Sequence, residues 1–328
     1  QGSLLSEQDE IRQHINTFAM VQWRPSEKIL LDGGLNLNFL SYKLETGYRS
    51  DSTDQSGQYN YQPVLSPRLG ISYQHHKNHH LYASAGHGFS APSLEETLLP
   101  EGAVNTELLP ETGWNFELGN RGFFFGERIS YDITLYMVLL DNLLVTERLA
   151  EDIFTGANAG KARNTGLELW SDFAIMQAKE QKSLSLNTSL SYALSSNVFT
   201  DFVDDEISYT GNRLPGIPSQ VLNFMFSADW RGADLKLHYQ FFGSQWMNDE
   251  NSKKYEAYQL LNLQAGWLIK IPGDLFSIRI YGGIRNILNS LYSSMILVNA
   301  PSFGGREPRY YYPGNPRQYH LGATLYFR

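Results

Sequence analysis

The residues best equipped for chemistry lie near the C-terminus, where Arg306 and Arg309 precede Tyr310, Tyr311 and Tyr312. Guanidinium groups pair with carboxylates and other anionic oxygens, and aromatic rings stack on planar groups. Such a set suits an anionic, planar chelate. The same three tyrosines suit equally well an aromatic girdle at a membrane interface. Trp246, beside another long connection, is a further binding candidate. His75, His76, His79 and His80 form a second cluster. Imidazoles favour zinc, copper or nickel, but the segment reads as a short polar turn, and that reading is preferred to a metal site. Asp201, Asp204, Asp205 and Glu206 form an acidic run. Its spacing is not that of an EF-hand, so a solvated charged loop is the expectation. No G-x-S-x-G, H-E-x-x-H or phosphate-binding glycine loop occurs. The chain is therefore read as a non-enzyme with no metal and no cofactor.

Composition narrows the class. The chain has 328 residues, no cysteine, 20 Tyr, 18 Phe and 28 Gly. Aromatic and glycine-rich chains favour strands over helices. Without cysteine there can be no disulfide or zinc–thiolate site. A net charge of −8 argues against nucleic acid as a partner. No run of 18 apolar residues marks a transmembrane helix. The opening Gln1-Gly-Ser-Leu-Leu-Ser lacks the basic and apolar regions of a signal peptide, as expected of a mature or truncated exported chain.

Positioning these residues is the task of about thirteen strands, read from period-two alternation. They fall near 12–24, 28–48, 66–74, 80–89, 111–122, 128–146, 163–176, 183–194, 219–230, 234–246, 256–270, 275–288 and 317–327. From Gln318 to Phe327, Tyr319, Leu321, Ala323, Leu325 and Phe327 oppose Gln318, His320, Gly322, Thr324 and Tyr326. Connections alternate between short and long. The long ones lie near 49–65, 90–110, 147–162, 195–218, 247–255 and 289–316. Only an outer-membrane barrel has reason to gather every long loop at one rim. Trp23 and Trp230 sit beside short turns, and Trp114 and Trp246 beside long loops, as interface girdles require. The expected fold is all-β, an antiparallel up-and-down transmembrane barrel.

Several motifs carry a family resemblance. Phe89-Ser-Ala-Pro92 ends one strand, Asn105-Thr-Glu-Leu108 follows, and Pro110-Glu111-Thr-Gly113-Trp-Asn-Phe-Glu117-Leu-Gly119 opens the next. Asn158-Ala-Gly160-Lys-Ala-Arg163-Asn-Thr-Gly166-Leu-Glu168 enters a later strand. Asn248-Asp-Glu-Asn-Ser252, Asn286-Ile-Leu-Asn289 and Tyr312-Pro313-Gly314-Asn315-Pro316-Arg317 come after it. In this order the set resembles the TonB-dependent outer-membrane receptors. Local physics makes most of these positions structural, through close approach at Gly and turn chemistry at Asn and Pro. One departure is that Phe327 is penultimate where the family usually ends on an aromatic residue.

The resemblance implies a barrel of about 22 strands closed by an N-terminal plug. Residues 1–328 would then form one partial barrel domain, its C-terminal part, without the plug and roughly nine strands. It implies a bacterial outer-membrane location, with membrane lipid, the plug and, through the plug, the TonB complex as partners. It further implies active uptake of a scarce iron chelate, most often a ferric siderophore. The alternatives are a passive pore or adhesin, or a receptor for cobalamin, haem or a glycan. Haem receptors of the family carry a histidine between F-x-A-P and N-x-x-L. Here that segment, Ser93 to Val104, has none, and His87 lies before Phe89.

Overall fold

Strands form here because apolar and polar residues alternate over runs long enough to cross a bilayer, about 9–11 residues each. The computed structural model describes residues 6–49, 54–99, 103–150, 153–158, 160–177, 184–204, 206–270, 276–300, 308 and 310–327. Thirteen long strands follow in chain order. They are β1 (Ser6–Ser26), β2 (Ile29–Arg49), β3 (Val64–His76), β4 (His79–Ser90), β5 (Glu111–Phe124), β6 (Ile129–Asp141) and β7 (Lys161–Met176). The rest are β8 (Ser185–Asp201), β9 (Gln220–Trp230), β10 (Ala233–Phe242), β11 (Tyr258–Lys270), β12 (Phe276–Arg285) and β13 (Gln318–Phe327). Each pairs antiparallel with its sequence neighbours in one continuous sheet. The meander read from the sequence is the observed one, and in it the long loops share one rim.

Boundaries differ where a loop forms its own hairpin. The strand expected at 128–146 ends at Asp141, and Leu144–Ala150 instead pairs with Ile153–Asn158. The strand expected at 234–246 ends at Phe242, and Gln245–Trp246 pairs with Lys254–Tyr255. Conversely, β1 begins earlier and β8 runs on to Asp201. Alternation alone cannot distinguish a wall strand from a loop hairpin, because both have period two.

One transverse row shows the physics of the wall. Trp23, Leu31, Ile71, Ala83, Leu118, Leu135, Leu167 and Leu194 pair in succession from β1 to β8. The neighbouring row on the other face is Gln22, Asp32, Gly70, Ser84, Glu117, Tyr136, Gly166 and Ser195. The first row begins three residues from the end of β1 and reaches the middle of β8. That stagger is the tilt a barrel wall requires. The apolar face has no protein cover: Ile15, Leu69, Leu118, Trp267 and Leu321 are all more than half exposed. An apolar face this wide belongs in lipid, with the polar face lining the lumen.

The sheet is open. Among the described residues, β1 pairs only with β2, and β13 only with β12. The truly buried side chains are mostly in and beneath the long loops: Leu44, Tyr42, Leu108, Phe199, Phe202 and Met247.

Candidate functional site

The long loops gather into two clusters at one rim. The first rests on the upper part of β2. Tyr42 and Leu44, almost wholly buried, pack with Tyr61 against Leu40, Tyr59, Leu98 and Val104. Ser93 caps a single helical turn, Leu94–Thr97. Its backbone N–H donates to Glu96 Oε2 at 2.6 Å, and its hydroxyl accepts from Glu96 N at 3.3 Å. Arg12 donates to Thr97 Oγ1 at 2.9 Å and lies over the Tyr42 ring. The loop after Phe89 is thereby folded down onto β1 and β2.

The family motif supplies the staples on the other side of that loop. Asn105 donates to the Gly156 carbonyl at 3.1 Å. Asn158 donates to the Leu109 and Asn142 carbonyls and accepts from Leu109 N. Leu108 is buried between them, and Pro92 and Pro110 are buried as well. Glu111 accepts from the Leu144 backbone N–H at 3.3 Å. Gly160 has φ of +83°, and a Cβ there would run into the Asp201 carbonyl. Phe89 meets His14 edge-on.

Within the wall, Gly119 faces Tyr82 and Gly166 faces Tyr136 across the strand pair. Each tyrosine ring fills the space a Cβ would need, a cross-strand aromatic cover for glycine. Gly113 has Leu139 and Leu140 of β6 against the same space. Glu117 accepts from Asn115 and Ser84. Glu168 lies on the polar face, and Arg163 is exposed on the apolar side of β7 near the outer rim.

The second cluster is built from amides. Asn251, at φ +57°, donates to the Arg213 carbonyl at 2.8 Å and accepts from Arg213 N at 2.7 Å. Asn212 donates to the Asp249 carbonyl. Asn299 donates to Asp249 Oδ2 at 2.6 Å and accepts from Asp249 N at 3.0 Å. Three loops, 202–219, 243–257 and 286–317, are thus tied together. Burial, opposed by the Asn299 bond and reinforced by Asp204, pushes the Asp249 carboxyl up from its ordinary value. Asn286, also at positive φ, donates to the carbonyls of Ser290 and Asn315 and accepts from Ser290 N. Gly314 gives its space to the Tyr292 ring, while Pro313 and Pro316 are exposed.

The sequence candidates separate here. Tyr310 is 9 % exposed and packs with Met247 and Ala300, so it is a core residue of the loop. Tyr311 and Tyr312 are about half exposed in a short strand paired with Ser293–Ile296. Arg306 and Arg309 lie outside the described residues, as does Asp205. Trp246 stands in a short loop hairpin, with the Lys254 ammonium over its ring at 5.6 Å. Arg213 and Lys254, which share its pocket, were not singled out from sequence. The only trace was the Asn-Asp-Glu-Asn run at 248–251, whose partner lies across the loop cluster. His79 is set between Phe124 and Tyr131 at the short-turn rim, with His75 and His76 beside it. Among the described residues no group of three metal-ligating side chains converges. His87 is engaged by Ser66 at 3.3 Å and by the Trp114 ring.

A staggered sheet with a lipid-facing apolar side, a polar lumen and long loops at one rim is the wall of a transmembrane β-barrel of the bacterial outer membrane. The chain belongs to the TonB-dependent receptor family: residues 3–287 match the model "TonB dependent receptor-like, beta-barrel". That family is one of transport receptors. A vitamin B12 transporter BtuB from Photobacterium profundum is 24 % identical over 82 % of this chain and 40 % of its own length. The siderophore receptor PiuA from Acinetobacter baumannii superposes with a TM-score of 0.76 at 16 % identity, over 97 % of this chain and 44 % of that one. The copper transporter OprC gives 0.73 at 17 %, over 97 % and 48 %. The chain therefore spans less than half the length of the relatives it matches.

Proposed function

We propose that this chain is the C-terminal barrel wall of a receptor that takes up a ferric siderophore with energy delivered through TonB. Family membership carries this reading, and the siderophore receptor among its structural relatives supports it. The short-turn end of the lumenal face has a concavity of about 1060 Å³. It is lined by Arg24, Lys28, His80, Arg121, Asp132 and Trp170. A plug domain packed there would satisfy these charges, and its rearrangement would open the path for cargo. Capture from outside falls to the loop rim, and no bond is made or broken.

Haem is disfavoured as cargo. The Ser93 to Val104 segment has no axial ligand of the usual His, Met, Cys or Tyr type. The test is growth of an iron-starved host with and without the full-length gene. Loss of growth on ferric siderophores alone supports the reading. Loss of growth on haem, repeated by His87→Ala, overturns it. Cobalamin is the second reading, favoured by the BtuB relative; cobalamin-dependent growth lost on deletion would select it.

A further inference from the structure

We infer that a small pocket between the amide-tied loops is an anion site that receives a carboxylate arm of the chelate. The inference rests on the uptake reading above and names chemistry that reading leaves open. The pocket has a volume of about 310 Å³. That is the lower end of the roughly 300–1,000 Å³ of ligand sites, enough for one arm of a larger molecule. It opens above β8, where Ser195 and Asn197 belong to the lumenal face, and is closed by Arg213, Gln245, Trp246 and Lys254.

Three observations point to an anion. The chain carries 34 acidic residues against 26 basic ones, yet the pocket lining has two cations and no acid. Neither Arg213 nor Lys254 forms an ion pair with a described residue. The Arg213 backbone and the Lys254 ammonium are nevertheless placed. The Arg213 backbone is clamped on its N–H and its carbonyl by Asn251, and bridges to Val198. Lys254 is paired in register with Trp246, whose ring lies beneath its ammonium. Both cations are exposed to solvent, so they are free to meet an incoming ligand, and Leu214 and Ile217 add apolar wall beside them. A guanidinium fork beside an ammonium matches a carboxylate, with the fork binding both oxygens and the ammonium as a point charge. Trp246 is then a positioning residue for Lys254 more than a stacking platform.

The test uses the full-length receptor in an iron-starved host, supplied with ferric citrate as a polycarboxylate chelate or with ferrichrome as a neutral trihydroxamate. Surface abundance of each variant is measured alongside uptake. Ferric citrate uptake by the parent should show an apparent KM raised about tenfold by Arg213→Gln and again by Lys254→Gln, with the maximal rate kept. Arg213→Lys should recover part of the loss, and added salt should weaken parent uptake more than that of the double variant. Parent uptake of ferrichrome alone, or ferric citrate uptake indifferent to both changes, overturns the anion site while leaving siderophore import standing. Uptake of neither chelate counts against both readings.

Discussion

The two loop clusters sit on the same rim and are built by opposite means. The cluster over β2 is held by apolar burial at Tyr42, Leu44, Tyr61 and Leu108, with the family-motif asparagines as staples. The cluster over β8 to β13 is held by side-chain amides, above all Asn251, Asn299 and Asn286. Apolar packing fills space, and Leu98 and Val104 lie directly against the cluster of Tyr42, Leu44 and Tyr61. Amide ties need only a few directed bonds, so they leave a pocket with Arg213 and Lys254 on its wall. The first cluster is therefore a packed support for the wall, and the second keeps open space between its ties.

The largest expected effect tests the apolar cluster. Leu44→Ala should cost about 2–5 kcal/mol, as buried large-to-small changes do. The loss should appear as faster amide exchange and proteolysis in segments 54–63 and 91–99. Residues 243–257 should keep their protection; equal loosening of both clusters would erase the distinction between them.

Backbone strain comes next. Gly160→Ala forces a side chain onto a positive φ and into the Asp201 carbonyl, at a cost of about 1–3 kcal/mol. Gly126, at φ +65°, has open space around it. Gly126→Ala should lower the heat-modifiability midpoint less than Gly160→Ala, and the reverse order would refute the steric account.

The amide cluster should respond to Asn286→Ala by about 1–3 kcal/mol, because buried Asn286 bonds three part-buried backbone groups that lose their partner together. Exchange should rise at Ser290, whose N–H Asn286 accepts, and near Asn315. Unchanged exchange at Ser290 would show that water replaces the amide.

The smallest effect is electrostatic. Asp249 has a raised folded pKa, so the folded cluster takes up a proton more readily than the opened one. Its stability should rise as pH falls through that folded value and level off below the unfolded value near the usual carboxylate range. Asp249→Asn keeps an acceptor for Asn299 and should remove this pH dependence. At neutral pH the change should be neutral to stabilising, because burial disfavours the charged carboxylate it removes. Exchange at Asp249 and Asn299 between pH 4 and 7 reads it.

Much of the wall was legible in the amino-acid sequence. Period-two runs such as Gln318–Phe327 name their own faces, because a strand has only two. The alternation of short and long connections then orders the strands without any tertiary information. The motifs placed the family, since those carrying Asn105, Asn158 and Asn286 follow one another in the family's order near strand ends. What each asparagine bonds to was not legible, because the partners lie 51 and 29 residues away at Gly156 and Asn315. The three consecutive tyrosines looked alike in sequence, yet Tyr310 is packed inward while Tyr311 and Tyr312 stay exposed. The glycines at 119 and 166 read as places of close approach or a bend, and only the cross-strand register shows that the groups approaching are the rings of Tyr82 and Tyr136. Local alternation and turn chemistry are short-range properties that a chain carries with it. The pocket of Arg213, Trp246 and Lys254 arises from loops that meet only after the strands have paired, so the tertiary structure alone decided it.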